Sequence, residues 1–316
     1  MICVISNIKA GKTKNGKTYY LFDAFNDGHP KKAKIWDVVE SLENGNAIDA
    51  ISTKEDEYNG EKSLIIKEYN KVEISKEDAK KHLGLPCVDV AKMYKKMLEI
   101  IDKNLTGTYK DVCNLVYRDS KYSEALKSGF GACRVHHNYE GGLLEHTYEV
   151  VKICMSIVPD IYPELNRELL IAGALLHDIG KIFSYKNNGL VGEYTFDGYM
   201  EDHLYIGCEM INSVVDAKLQ NRKDVVILKH MVLSHHGQRD WGSPVVPMVP
   251  EAMLLHFADN ISAKIKIFEG VKKSAPTEGK EFSDFVKHLD SCIYLGELKW
   301  KNRRKLFKIS KKLVTK

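Results

Sequence analysis

The sequence lacks any long apolar run. No stretch reaches the roughly 18 consecutive apolar residues that a membrane-spanning helix needs. The N-terminal apolar run, residues 1–5, meets polar Ser6 and then Lys9, whereas a secretory signal peptide would continue with a longer apolar segment. We therefore expect no membrane association, and we interpret the N-terminus as a first β-strand.

Cysteine is also sparse. The seven cysteines are odd in number, scattered along the chain, and never spaced as CxxC. This pattern argues against a disulfide framework and against a cysteine-based zinc site. We predict reduced thiols and a cytoplasmic protein.

Acidic residues are absent from the C-terminal segment 299–316, which carries nine basic ones. A concentrated basic segment favours polyanionic partners. Leu306, Ile309 and Leu313 recur at spacings of three and four, which predicts a helix that docks on a partner surface. A solvated helix face that closes the fold remains the alternative.

The 316 residues are enough for two domains, and the pattern changes along them. Residues 1–75 show five or six short β-favouring runs separated by Gly-containing turns, which predicts a small OB-like barrel, with an SH3-like barrel as the alternative. Residues 76–90 contain Gly84 and Pro86 and are interpreted as a linker. Apolar spacing of three and four then predicts helices over 143–158, 168–177, 203–214, 223–235 and 251–268.

The predicted fold class is therefore multidomain α and β, with an N-terminal OB-like β-barrel followed by an all-α domain. We expect the barrel over 1–80 and the helical domain, with its basic C-terminal helix, over 90–316. Aromatic residues alternate with lysines in the barrel region, as they do in single-stranded nucleic-acid grooves. The candidate strand contacts are Tyr20, Phe22 and Trp36, although small barrels also need aromatic residues in their cores.

Histidine and aspartate stand at unusual places in the apolar helices. His177 and Asp178 end one such helix, just before Gly180. Asp259 lies on an apolar stripe, where a carboxylate is costly unless it is paired or bound to a cation. Each residue alone would more often be structural. Together with His146 they form a mixed imidazole and carboxylate set that suits a divalent transition metal.

These residues resemble the metal ligands of the HD superfamily of phosphohydrolases. The segments 136–147, 177–181, 234–237 and 241–244 are similar to motifs of the YhaM-type 3′-to-5′ exoribonucleases. That family joins an N-terminal OB-type domain to a C-terminal HD domain, the order inferred here. The resemblance implies Mn²⁺ as the metal, with Fe²⁺, Co²⁺ or Zn²⁺ compatible with the ligand types.

The resemblance also implies roles for further residues. His203, His235 and His236 stand where HD enzymes with two metals place more ligands, and Asp178 would then bridge the ions. With a single metal, these histidines would instead contact phosphate. Lys181 would hold a phosphate oxygen or assist the leaving group, unless it only interacts with a helix dipole. Arg134, His136 and His137 are candidates for the substrate path.

The first functional hypothesis is a metal-dependent 3′-to-5′ exonuclease that hydrolyses single-stranded RNA, with DNA left open, by means of a metal-activated water. A second hypothesis is an HD-type phosphodiesterase that acts on a cyclic dinucleotide or a nucleotide phosphate. A third is a non-catalytic OB-type nucleic-acid-binding protein. A homo-oligomer is compatible with each of them.

Overall fold

The computed structural model describes residues 1–36, 38, 40–58, 61–86, 88–133, 137–188, 191–274 and 280–296. The predicted basic C-terminal helix lies outside these residues, as do Arg134 and His136. Residues 1–267 form one compact unit, and a second unit begins at Phe268. The proposed domain boundary between residues 80 and 90 stays a prediction.

The N-terminal region is a closed five-stranded barrel. Its strands run in the order β1-β2-β3-β5-β4, and the pairing of β3 with β5 is parallel. This architecture confirms the OB-like prediction, with five strands where five or six were expected. The strands are β1 (Ile2–Lys12), β2 (Thr18–Asn26), β3 (His29–Trp36), β4 (Ala47–Tyr58) and β5 (Glu61–Val72).

The region predicted as a linker contains a helix, α1 (Lys76–His82), that packs on the barrel. Ala79 and Leu83 are buried with Val4 of the barrel in a small apolar cluster. Gly28, in the turn between β2 and β3, donates its backbone N–H to the His82 carbonyl at 2.8 Å. The linker interpretation is therefore wrong for its first half, because burying two apolar side chains is enough to dock this short helix.

The described residues after α1 are mainly helical, with one hairpin and, in 280–296, two isolated β-bridges. The five helices predicted from apolar spacing are all present, with ends shifted by a few residues. The hairpin of β6 (Tyr185–Asn188) and β7 (Val191–Tyr194) is a departure from the all-α prediction. The helices that precede the hairpin are α2 (Val90–Asn104), α3 (Gly107–Tyr117), α4 (Ser120–Ser128), α5 (Gly142–Ile161), α6 (Arg167–Leu176) and α7 (Lys181–Ser184). Those that follow it are α8 (Phe196–Met200), α9 (Asp202–Val214), α10 (Lys223–Ser234) and α11 (Pro250–Ser274), with short 3₁₀ helices at Arg239–Trp241 and Lys287–Leu289.

Helix α6 is the centre of the helical core. All its residues from Leu169 to Leu176 are buried, which explains why its sequence is apolar on every side. The buried Tyr117 hydroxyl donates to the Leu175 carbonyl at 2.8 Å, near the end of this helix. The core thereby fixes the position at which His177 and Asp178 leave α6.

The expectations about membrane-spanning helices and about cysteine thiols can be compared with the described residues. No helix among them is long and apolar enough to cross a membrane. Cys3, Cys113, Cys154, Cys208 and Cys292 carry free thiols.

Candidate metal centre

Asp178 lies at the centre of the predicted ligand set. Its carboxylate is 1% exposed, and its two oxygens face different histidines. Oδ2 is 3.4 Å from Nε2 of both His146 and His177. Oδ1 is 3.4 Å from Nε2 of His203 and 3.5 Å from Nε2 of His235. The carboxylate therefore stands between two groups of imidazoles.

The first cluster consists of His146, His177 and Asp259, which come from α5, the end of α6 and α11. Its ligand atoms all lie within 4.8 Å of one another. Oδ1 of Asp259 is 3.0 Å from Nε2 of His146, and the Nε2 atoms of His146 and His177 are 3.2 Å apart. Three helix segments that are distant in sequence thus meet at one point.

The second cluster consists of His203, His235 and His236, at the start of α9 and just after α10. Its ligand atoms also lie within 4.8 Å of one another. The end of α10 presents two adjacent histidines because the chain leaves the helix there and Gly237, at φ 79°, turns it away. The structure therefore brings together all seven residues predicted as metal ligands.

Several atoms of the centre suit a cation. Among the described residues, Asp178 Oδ1, His203 Nε2 and His236 Nδ1 are buried without a hydrogen-bond partner. Leaving buried polar atoms unsatisfied costs about 1–3 kcal/mol each. A divalent ion would satisfy these nitrogen and oxygen atoms, so the donor set fits a metal.

The Nδ1 atoms of His177 and His235 point away from the centre. Nδ1 of His177 is 2.9 Å from the Ala174 carbonyl, and Nδ1 of His235 is 2.7 Å from the Val232 carbonyl. A carbonyl only accepts, so each Nδ1 carries a proton, which leaves Nε2 as the ring atom that can bind a metal. Such contacts are the usual way to orient a metal-binding imidazole.

Asp202 and Ser262 contact the Nδ1 atoms of two other histidines. Neither residue was predicted from the sequence. Oδ1 of Asp202 is 2.8 Å from Nδ1 of His203. Ser262 Oγ is 3.0 Å from Nδ1 of His146. The available signal was spacing: Asp202 precedes a predicted ligand, and Ser262 lies one helical turn after Asp259.

Lys181 contacts the central carboxylate. Its Nζ donates to Asp178 Oδ2 at 2.6 Å and to the Gly131 carbonyl at 2.8 Å. Lys181 is the first residue of the four-residue helix α7, and it follows the last residue of α6 by five positions. Its ammonium group is buried at the centre, one turn after Asp178.

The charges of the centre are strongly coupled. Although burial opposes ionisation, Lys181 and the facing histidines hold the pKa of Asp178 well below its ordinary value. Contact with His146 also lowers the pKa of Asp259. The two carboxylates outweigh burial at His146 and raise its pKa to about 9. Without a metal, His146 therefore carries a proton at neutral pH.

His177, His203 and His236 are neutral at that pH. Burial lowers the pKa of His177 and of His203. Burial and the neighbouring imidazoles lower the pKa of His236 to about 3. Neutral imidazole is the form that binds a metal, so these side chains need not lose a proton first.

The residues predicted to bind substrate differ in how exposed they are. Trp36 is 47% exposed on the barrel, with its ring 5.0 Å from that of Tyr19, and Tyr20 is partly buried. Phe22 is 3% exposed and packs in the barrel core, so its prediction as a base contact is wrong. His137 is buried too, with Nε2 3.4 Å from Glu149, and does not line an open path.

Comparisons with known proteins agree with this geometry. The HD domain model matches residues 143–264, which contain both clusters. An HD domain implies divalent-metal binding, as the two clusters do. No solved structure matches the chain.

Relatives cover most of the chain. A Listeria welshimeri protein named 3′-5′ exoribonuclease YhaM is 30% identical over 294 residues, 92% of each chain. The Oceanobacillus iheyensis protein of that name is 30% identical over 284 residues, 88% of each chain. The Listeria monocytogenes serotype 4b protein is 29% identical over 301 residues, 94% of each chain. The chain belongs to the YhaM family.

Proposed function

We propose that this protein is a metal-dependent 3′-to-5′ exoribonuclease that uses Mn²⁺ to hydrolyse single-stranded RNA. The observation that carries the proposal is the position of Asp178, whose two oxygens face two separate clusters of ligand atoms. A carboxylate in this position would bind two neighbouring ions, the arrangement that two-metal phosphatases and nucleases use for in-line displacement. The names of relatives that cover nine-tenths of the chain support the RNA substrate and the direction.

The ligand assignment follows the clusters. One ion would be held by His146, His177 and Asp259, and a second by His203, His235 and His236, with Asp178 shared between them. Bound divalent ions lower the pKa of a water molecule and neutralise charge on phosphoryl oxygens. The chain contributes a largely buried frame in which the ligand atoms of each cluster lie close to one another.

Lys181 has a distinct part in this proposal. Two of its N–H groups donate to Asp178 and to the Gly131 carbonyl, which holds the ammonium group beside Asp178. An ammonium has three N–H groups, so one is left to donate to a phosphoryl oxygen of the strand. Lys181 would thus both orient the shared carboxylate and contact the substrate.

The barrel supplies the strand-binding surface in this proposal. Trp36 and Tyr19 present adjacent rings, and Lys34 lies on the same strand as Trp36. Exposed aromatic rings beside lysines bind single strands by base stacking and phosphate contact. Self-association of the chain stays a prediction.

A time course with RNA labelled at its 5′ end tests the proposal. With Mn²⁺, the labelled strand should shorten stepwise, and EDTA should prevent this. Immediate release of a labelled mononucleotide would mean the opposite direction, and discrete internal cuts would mean an endonuclease. An intact strand with metal bound would shift the assignment to a small substrate, which a cyclic dinucleotide in the same assay would detect.

Asp178→Ala should abolish shortening while the fold is retained. Asp102→Ala is the matched control, because Asp102 is an exposed helical aspartate whose partner, Arg118, lies on the protein surface. Activity retained in Asp178→Ala would contradict the proposed site. Strand binding without shortening in the wild-type protein would favour the non-catalytic alternative.

A further inference from the structure

Helices α5 and α11 face each other with matching pairs of polar residues. On α5, His146 and Glu149 are three residues apart, and on α11, Asp259 and Ser262 have the same spacing. Residues three apart lie on one face of a helix. His146 therefore contacts Asp259 at one level, and Glu149 contacts Ser262 one turn along, at 2.8 Å.

Ser262 connects the two levels. Its Oγ is 3.0 Å from Nδ1 of His146 and donates to Oε2 of Glu149. A serine hydroxyl has a single proton, and a carboxylate only accepts. Since that proton is used toward Glu149, Ser262 Oγ must accept from His146, which places the imidazole proton on Nδ1.

The surroundings of Glu149 keep it an acceptor. Lys266 Nζ is 3.2 Å from Glu149 Oε1 and also donates to Glu145, while His137 Nε2 is 3.4 Å from Glu149 Oε2. Despite partial burial, these contacts and the Ser262 hydroxyl lower the pKa of Glu149 to about 2. Glu149 is therefore ionised at neutral pH and cannot reverse the direction of the hydrogen bond.

We infer that Ser262 and Glu149 are positioning residues that hold Nδ1 of His146 as a donor and aim its Nε2 lone pair at the first cluster. The inference rests on His146 being a metal ligand, as in the proposed function. The corresponding acceptors of His177 and His235 are backbone carbonyls, which no substitution removes. At His146 the orientation depends on two side chains, so it can be altered by mutation.

The test uses the full-length chain and two readouts that do not depend on turnover. In the Zn²⁺-loaded protein, with Zn²⁺ as a diamagnetic probe, the His146 Nδ1–H proton should give a downfield, slowly exchanging NMR signal. Ser262→Ala should lose this signal. Mn²⁺ binding, followed by the EPR signal of the free ion, should weaken about 10- to 100-fold, as for other outer partners of metal ligands.

Two further variants separate orientation from packing. Ser262→Thr keeps the hydroxyl and should restore Mn²⁺ affinity and the signal. Glu149→Gln should weaken Mn²⁺ binding because its amide can donate to Ser262, whose hydroxyl would then point its proton at Nδ1. Ser123→Ala is the matched control, since this buried helical serine bonds only to a nearby carbonyl in the described structure. It should change neither readout.

Wild-type Mn²⁺ affinity in both Ser262→Ala and Glu149→Gln would overturn the inference, as would an unchanged His146 signal in Ser262→Ala. An equal loss of affinity in Ser262→Thr and Ser262→Ala, both folded, would also overturn it. If the wild-type protein binds Mn²⁺ but does not shorten RNA, the proposed function fails while these readouts still decide the role of Ser262.

Discussion

Gly180 and His203 approach so closely that no side chain fits between them. A Cβ atom at Gly180 would lie 2.0 Å from the His203 carbonyl oxygen and 2.6 Å from the Gly207 backbone nitrogen. Gly180 follows Asp178 by two residues, and His203 belongs to the second cluster. Their backbone contact therefore sets the distance between Asp178 and that cluster.

Gly180→Ala should damage the second cluster. The added methyl group must push α9 away from the turn after α6, at a cost of about 1–3 kcal/mol typical of overpacking. Urea unfolding should show this loss, and Mn²⁺ binding by the displaced His203 should weaken. Wild-type stability and wild-type Mn²⁺ binding in this variant would contradict the argument.

Gly270→Ala is the matched control for this change. Gly270 lies within α11, and a Cβ there would meet no atom of the described structure within 4 Å. Alanine favours a helix over glycine by up to about 1 kcal/mol, so stability should stay equal or rise.

The elements of the fold could be predicted where a short stretch of sequence determines them. The β-favouring runs and the turn at Asp27 and Gly28 identified the strands, and apolar spacing identified five of the helices, which are α5, α6, α9, α10 and α11. The parallel pairing of β3 with β5, which closes the barrel, joins segments far apart in sequence. Helix α1 was missed because Ala79 is its only buried residue, too little to produce an apolar period.

The residues predicted as ligands come together in the structure, whereas the residues that contact and orient them were not predicted. His146 and Asp259 attract notice because polar residues are costly in apolar helices. Ser262 and Glu149 are ordinary helical residues, and their importance depends on α5 facing α11. Phe22 was predicted to contact the nucleic acid but lies in the barrel core. Aromatic residues in a small barrel occur in the core as well as on the surface, and the sequence does not distinguish the two.

We predict that each cluster binds one ion, and that a substitution confined to one cluster removes only the ion bound there. His236→Ala removes a ligand only from the second cluster, so Mn²⁺ stoichiometry should fall from two to one. Asp178→Asn should weaken both sites, because both oxygens of this carboxylate face ligand clusters. Equilibrium dialysis with elemental analysis would measure the stoichiometry. One ion in the wild-type protein would support the single-metal alternative instead.

Metal binding should depend on pH through His146. Its pKa of about 9 in the metal-free protein means that a proton occupies it at neutral pH and must leave before Nε2 can bind an ion. Mn²⁺ affinity should therefore rise by up to about tenfold per pH unit from pH 7 and level off above pH 9. His177 and His203, with lowered pKa values, should add no slope there.

Calorimetry in two buffers of different ionisation enthalpy would measure the protons released. We expect the release of about one proton on Mn²⁺ binding at pH 7 and of fewer at pH 9.5, because the His146 imidazole is charged before the metal binds at pH 7. Release that is zero at pH 7, or an affinity that is flat across this range, would contradict a protonated His146.

Lys181→Met should destabilise the metal-free protein. Removing one partner of a buried ion pair costs about 3–5 kcal/mol, because Asp178 loses its closest cation. A divalent ion would replace part of that charge, so Mn²⁺ should raise the melting temperature more in this variant than in the wild-type protein. RNA shortening should remain slow even with metal bound, if Lys181 also contacts phosphate.

Lys32→Met is the control for that experiment. Lys32 pairs with Asp23 on the barrel, but its ammonium group is exposed, and such pairs contribute about 0–1 kcal/mol. A Lys181→Met protein that matches the wild type in stability and in its response to Mn²⁺ would rule out the proposed support of Asp178.

Trp36→Ala should weaken strand binding while leaving the metal centre intact. Base stacking on an aromatic side chain contributes about 1–3 kcal/mol per base, so affinity for single-stranded RNA should fall roughly tenfold. Anisotropy with labelled RNA in EDTA would measure binding without turnover. Ile51→Ala is the control, because Ile51 is an exposed apolar residue of the barrel without a ring. Equal affinities of the two variants would mean that Trp36 does not stack on RNA, and the barrel would need another role.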